Sequence, residues 1–272
     1  MPSRAGWMCC RPPARLQTPE SHYTETMASA AGLVGSTVRR GPRPCDRASE
    51  RWRADAQSRA TKAIMAEPGV SMNWDVIVVG GGVIGLSVAW ELSRHGVSVC
   101  VVDRQQPGRE ASWAGAGLLP PGNLEVDLGP EQRLRAFSAA LWREWVAGLF
   151  DASGVDSGYR ESGAVEVADE EVSLTDTAAA YADERIAVHW LRGREVQRIE
   201  KGLAPEIGQA LWVPSFCQVR NPHHLRALHV ACARAGVAII PDRAAVRWDV
   251  ERGRIRSVEL AGGERIAAER YV

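Results

Sequence analysis

From Asp75 onward the chain alternates between short apolar runs and longer amphipathic ones. "DVIVV" is a run rich in β-branched residues, the turn "GGGVIG" bounds it, and "VIGLSVAWELSRHG" spaces its apolar positions as a helix does. Gly96 stands where a left-handed residue ends a helix, and "VSVCVVD" reads as a second strand of a parallel pair, apolar throughout because both its faces are covered. Further on, Leu134, Phe137, Leu141, Trp145 and Leu149 recur at steps of three or four and predict a helix with one core-facing stripe. "GAVEVA" predicts a strand. "QVRNPHHLRALHVACARAG" predicts a helix with Asn221 as its N-cap, Pro222 at the first helical position and Gly236 closing it, followed by a strand in "VAII". "VRWDVERGRIRSVELAGGERIAAERYV" alternates about short turns like a β-meander, "AGGE" being its clearest turn.

The glycines of the first turn have distinct physical uses. Gly80 permits the tight turn, Gly82 lets backbone approach a pyrophosphate, and Gly85 lets helix and strand pack closely. The first N–H groups of the helix then face an anion. The second strand ends at Asp103, 18 residues beyond Gly85 (103 − 85), close to the spacing of about 20 for an acid that bonds a ribose hydroxyl. Together these predict a dinucleotide site, against the alternative of an unliganded turn of the same shape. The turn does not separate NAD from FAD. The following stretch, "RQQPGREASWAGAGLLPPGN", discriminates better, since small residues around Ser112 let backbone pass close to a large planar cofactor.

Composition narrows the setting. The 272 residues carry 33 basic and 33 acidic side chains, a balance that argues against nucleic-acid binding, and no apolar run approaches the length of a membrane span. Six cysteines lack the paired spacings of a metal or redox motif, which fits a reducing, cytoplasmic setting, and Cys100 lies in a strand as a small buried thiol. His223 and His224 are neighbours on a helix and do not share a face, so no metal site is expected and both are read as surface or helix-start residues. Residues 1–73 hold eleven Lys or Arg against six Asp or Glu and show no sustained period, so little stable structure is expected there. Their arginines suggest a transit peptide. Their acids and the lack of an amphipathic helix favour an over-extended start instead, with Met72 as initiator.

The stretches "VVGGGVIGLSVAWEL", "VVDR", "ASWAGAGLLPP", "SGYRESGAVEVA" and "QVRNPHHLRAL" resemble the flavin-dependent amine oxidases of the D-amino-acid oxidase superfamily, and most closely its glycine oxidase branch linked to thiazole (thiamine) synthesis. The resemblance runs from about Trp74 to Val272. It implies an α/β fold: a Rossmann-like FAD-binding domain of the GR2 type over residues 74–130 and 221–272, with a discontinuous α+β substrate domain represented by 131–220. By the same resemblance, Val83 and Ile84 lie along the FAD pyrophosphate, and Asp103 and Arg104 meet the adenosine ribose. Ala111 and Ser112 contact phosphate, although relatives often carry two hydroxyl residues there. Ala116, Gly117 and Leu118 run beside the isoalloxazine, with Leu118 also facing substrate, and Val246 offers its backbone to the adenine. Gln218, Val219 and Arg220 fall in the substrate-domain sheet, where Arg220 is structural rather than catalytic.

The implied reaction is oxidation of glycine or another small amino acid or amine, with hydride transfer to flavin N5 and reduction of O2 to hydrogen peroxide. The cofactor carries the redox chemistry, so no acid–base residue is nominated. The arginine that holds the substrate carboxylate is expected beyond Val272, as is a second glycine-rich FAD segment, which marks the chain as the first part of a longer enzyme, inactive by itself. Two other readings stay open: a non-catalytic FAD- or ADP-binding fragment, and an FAD-dependent hydroxy-acid dehydrogenase of the same superfamily. A homo-oligomer is left open for the complete protein.

Overall fold

The computed structural model describes residues 7–8, 73–127, 129–168 and 173–272. The expectation for residues 1–73 therefore lies almost wholly outside the described residues. Only strand β1 (Trp7–Met8), which pairs antiparallel with β5 (Ala164–Glu166), and Asn73 belong to that stretch.

The main sheet grows from β2 (Asn73–Val79) and β3 (Val99–Val102), joined through helix α1 (Val83–Arg94). β9 (Ala238–Ile240) lies beside β3, and β12 (Arg265–Tyr271) lies on the other side of β2; all three pairings are parallel. β10 (Ala245–Glu251) and β11 (Arg254–Leu260) add antiparallel strands outside β12, giving the order β10-β11-β12-β2-β3-β9. The meander is thus present, and its last strand also enters the parallel sheet beside β2.

Alternate residues of β2 and β3 divide between two cores, as the two-residue repeat of a strand requires. Val76, Val78, Val99 and Val101 pack under α1 and under helix α6 (Asn221–Arg234), against Leu86, Trp90 and Leu228. Ile77, Cys100 and Val102 face the other way, toward Val258 and Leu260 of the meander. With both faces covered, the strands need the unbroken apolar runs seen in the sequence. Burial pushes the Cys100 thiol up to about 12 and the Cys232 thiol likewise, so both behave as packing groups.

Between the halves of this sheet the chain builds helix α3 (Pro130–Ser153) and a small antiparallel sheet in the order β5, β7 (Gln209–Val213), β6 (His189–Arg192), with helices α4 (Leu174–Asp183) and α5 (Arg194–Ile199). Gly154, left-handed at φ 68°, closes α3. The stripe expected on α3 is corrected. Leu134, Phe137 and Leu141 are 72%, 52% and 60% exposed; only Leu149, with Trp145 partly buried, reaches the core, where Trp145 meets Trp90 edge-on at 4.6 Å. The buried face of the first half runs instead through Arg135 and Ala136, because the chain at Gly122 passes so close that a Cβ there would lie 2.4 Å from the Ala136 Cα. Only a small residue fits that contact, so the bulkier apolar positions turn outward.

A third element is a two-stranded ribbon of β4 (Leu118–Leu119) and β8 (Cys217–Gln218). This corrects the placement of residues 218–220: Gln218 pairs with Leu118 and bridges to Arg160, apart from the β5–β7–β6 sheet. The reason is the tight docking of the 115–118 turn onto Val219, described below.

Candidate dinucleotide-binding site

The glycine turn sits at the carboxyl ends of β2 and β3. Gly80 adopts φ 106°, a conformation that L side chains avoid, and its N–H donates to the Val102 carbonyl at 2.8 Å. A Cβ on Gly85 would stand 1.8 Å from the Gly80 carbonyl oxygen, so α1 can leave the turn at this angle only with glycine there. Gly82 is the N-cap of α1 in extended conformation, and its own missing Cβ points to the Ser112 hydroxyl, 3.0 Å away.

Two donors of the turn are engaged from outside it. Gly81 N–H donates to Asp103 Oδ2 at 2.6 Å, and Val83 N–H donates to Ser112 Oγ at 3.0 Å. The other Asp103 oxygen accepts from the Gln105 N–H at 2.8 Å. Each carboxylate oxygen keeps further lone-pair capacity, so the acid fixes the loop and can still accept from a hydroxyl. Among the described residues, the N–H groups of Gly82 and Ile84 have no hydrogen-bond acceptor. Orphan amides at the start of a helix, beside a cradle that any Cβ would fill, fit the pyrophosphate of a dinucleotide.

The next loop is tied down from the far side of the chain. Helix α2 (Ala111–Ala114) carries Ser112, whose carbonyl accepts from Asn221 Nδ2 at 3.0 Å. Gly115 and Gly117 pack against the same asparagine: Cβ atoms on them would lie 2.5 Å from Asn221 Nδ2 and 2.9 Å from Asn221 Oδ1. Gly117, at φ 75°, would also strike the Val219 carbonyl at 2.1 Å, while its own carbonyl accepts from the Val219 N–H at 2.8 Å. Leu118 is thereby delivered, partly buried, into the ribbon opposite Gln218.

Asn221 therefore does not cap α6; Arg220 takes the N-cap position, its carbonyl accepting from the His223 and His224 N–H groups. Reading Asn-Pro as cap and first helical residue missed this, because the partner of the asparagine lies 109 residues earlier. His224 also departs from expectation. His223 is exposed, but His224 is 2% exposed, bonds Ser157 Oγ at 3.2 Å and sits 5.3 Å from the Trp142 ring. Desolvation lowers its pKa to about 4, so the ring is held neutral.

Of the positions named from the sequence, Gly80, Gly82, Val83, Gly85, Asp103 and Ser112 converge on one turn. Ile84 is 77% exposed beside them, and Ala111 and Ala116 are exposed on the adjoining loop. Arg104 turns outward into a two-pronged pair with Glu110, at 2.7 and 2.8 Å. Val246 lies past Arg243, whose N–H donates to the Asp103 carbonyl at 2.8 Å. The register of β10 skips from Ala245 to Arg247, so Val246 is the extra residue of a bulge and its backbone is released from the ladder.

Among the described residues there is no cluster of three or more His, Cys, Asp or Glu able to hold a metal ion, and no helix long and apolar enough to cross a membrane. The chain is 32% identical over 170 residues to the glycine oxidase of Geobacillus kaustophilus, covering 61% of this chain and 45% of that protein. It is 28% identical over 201 residues to the bifunctional protein ThiO/ThiG of a Nostoc species, covering 74% of this chain and 30% of the relative. The crystal structure of glycine oxidase from Bacillus cereus superposes with a TM-score of 0.65 at 29% identity, over 73% of this chain and 54% of that one. The chain thus spans about half or less of the length of these relatives. The model of the DAO family, FAD dependent oxidoreductases, matches residues 75–272, and the chain belongs to that family.

Proposed function

We propose that this chain is the nucleotide-binding part of a flavin-dependent oxidase of glycine or another small amino acid or amine. The observation that carries the reading is the pair of orphan amides at Gly82 and Ile84, set between Asp103 and Ser112 in a chain of this family. FAD would be held by the turn of Gly80, Gly82, Val83, Ile84 and Gly85, by Asp103 and Arg104 at the ribose, and by Ala111 and Ser112 at the phosphates. Ala116, Gly117 and Leu118 would line the ring, with Leu118 toward substrate and Val246 toward adenine. When bound, FAD supplies the two-electron acceptor that amine oxidation needs.

What the protein contributes is position. The α1 terminus and the orphan amides offset the phosphate charge, Asp103 takes a ribose hydroxyl, and the Asn221 tether fixes the height of the Ala116–Leu118 backbone. Residues 74–130 and 221–272 form the proposed nucleotide domain and 131–220 part of the substrate domain. The group that pairs with a substrate carboxylate belongs, on this reading, to the portion of the relatives' length that this chain does not span.

The test is to incubate the purified protein with FAD, record the visible absorbance retained after desalting, and assay peroxide with glycine, sarcosine and D-alanine. Retained flavin with peroxide supports an oxidase. Retained flavin without turnover favours the second reading, a flavin- or ADP-binding unit. Failure to retain any flavin overturns both.

A further inference from the structure

On the far side of the 105–109 loop from the glycine turn lies a cavity of about 700 Å³ between that loop, α6 and β9. Pro107 forms the partition: it lines the cavity, and its Cβ also stands 2.7 Å from where a Cβ on Gly81 would be. None of the residues lining the cavity is one of the cofactor positions named above.

Its wall is basic. Arg109, Arg220 and Arg226 line it together with two histidines, and the lining contains no carboxylate. All three guanidinium groups are exposed, and among the described residues none forms an ion pair. Acids adjoining the cavity residues have partners of their own, and Asp156 also interacts with His223 on the wall. Glu110 holds Arg104, Asp242 accepts from Gln106 Nε2 at 2.7 Å, and Asp156 accepts from the Gly158 N–H at 2.7 Å and pairs with Arg160 at 3.4 Å. Arg109 lies over the Trp113 ring at 4.4 Å, which keeps its guanidinium beside the cavity. The floor is apolar, formed by Leu225, Val237 and Ile239.

Unpaired arginines around a concave apolar floor are the chemistry of an organic anion site: guanidinium forks match phosphate oxygens two at a time, and the floor removes a carbon skeleton from water. We propose that this cavity is a second ligand site, separate from the dinucleotide cleft, which takes a small organic phosphate through Arg109, Arg220 and Arg226. Because Pro107 is shared, an occupant braces the loop that carries Asp103 and Gln105.

The experiment is calorimetric titration of FAD-saturated protein with phenyl phosphate, inorganic pyrophosphate, citrate and phenol. Phenyl phosphate is expected to bind saturably at one site and more tightly than phenol. Arg226→Ala and Arg109→Ala, both changes at exposed positions, are each expected to weaken it by about tenfold with unchanged thermal melting, whereas Arg226→Lys weakens it less. Preference for citrate over phenyl phosphate overturns the phosphate assignment. Absence of saturable binding, or affinity unchanged in both alanine variants, overturns the site. Loss of phenyl phosphate binding on saturation with FAD, relative to flavin-free protein, overturns its separateness from the cleft. Flavin retention is read independently by absorbance, so a protein that refuses FAD yet binds phenyl phosphate contradicts the oxidase reading and not this one.

Discussion

On the proposed function, Gly82 meets two demands at once: its bare Cα would leave the cleft open to a pyrophosphate, and it leaves room for the Ser112 hydroxyl at 3.0 Å. Gly82→Val is expected to close both, and flavin retained after desalting should fall by at least about tenfold, since the branched side chain blocks the backbone approach the phosphates need. Asn221 acts at one remove. Asn221→Ala leaves the Ser112 carbonyl without its donor, an effect of about 1 kcal/mol in chemical denaturation, and is expected to quicken flavin release by freeing the loop beside the ring. His224 gives a pH signature. Its folded pKa of about 4 lies below the ordinary 6.5, so the unfolded chain takes up the proton first and stability falls as pH drops from 6.5 toward 4. The loss across that window is at most roughly 3 kcal/mol, and the urea midpoint of the wild type should fall more steeply over it than that of His224→Phe, which lacks the titrating ring.

At the scale of elements, α3 shows how a helical repeat can be right in period and wrong in face. Leu134, Phe137 and Leu141 keep the spacing of a buried stripe, yet the first half of the helix turns Arg135 and Ala136 inward, because the chain at Gly122 leaves space only for a small residue. Arg135 is then paired with Glu184 at 2.6 Å. Leu134→Glu is accordingly expected to change stability by less than about 0.5 kcal/mol, whereas Trp145→Ala, which removes the ring packed on Trp90, should cost about 3 kcal/mol or more. Equal effects of the two substitutions in urea melts would contradict this account. The paired strands and α1 were legible in the sequence because each is set by a short-range period and by glycines at fixed offsets. The β4–β8 ribbon was not, since each strand is only two residues long and its register is fixed by Gly117 meeting Val219 across the fold.

For the molecule as a whole, the main sheet draws its strands from both ends of the described chain, with residues 73–102 at its centre and 238–271 on either side. On the proposed function, the nucleotide site would therefore form only when the distant halves have docked, coupling ligand to fold. FAD at about 100 times its dissociation constant is expected to stabilise the protein by about 2.7 kcal/mol, read as a rise in the thermal midpoint; no shift at saturation would count against a site assembled from both halves.

The sequence alone determined the βαβ unit, its glycine turn and Asp103, because those features depend on neighbours within some thirty residues and on local backbone limits; the family showed through a resemblance spread over residues 75–272. Only the tertiary structure decided which turn amides are taken and which stand open, that Asn221 holds a loop rather than capping a helix, that His224 is buried, and that three arginines meet in one cavity. Each of these depends on contacts across long stretches of chain, such as the 109 residues between Ser112 and Asn221, and no period or spacing encodes such a meeting.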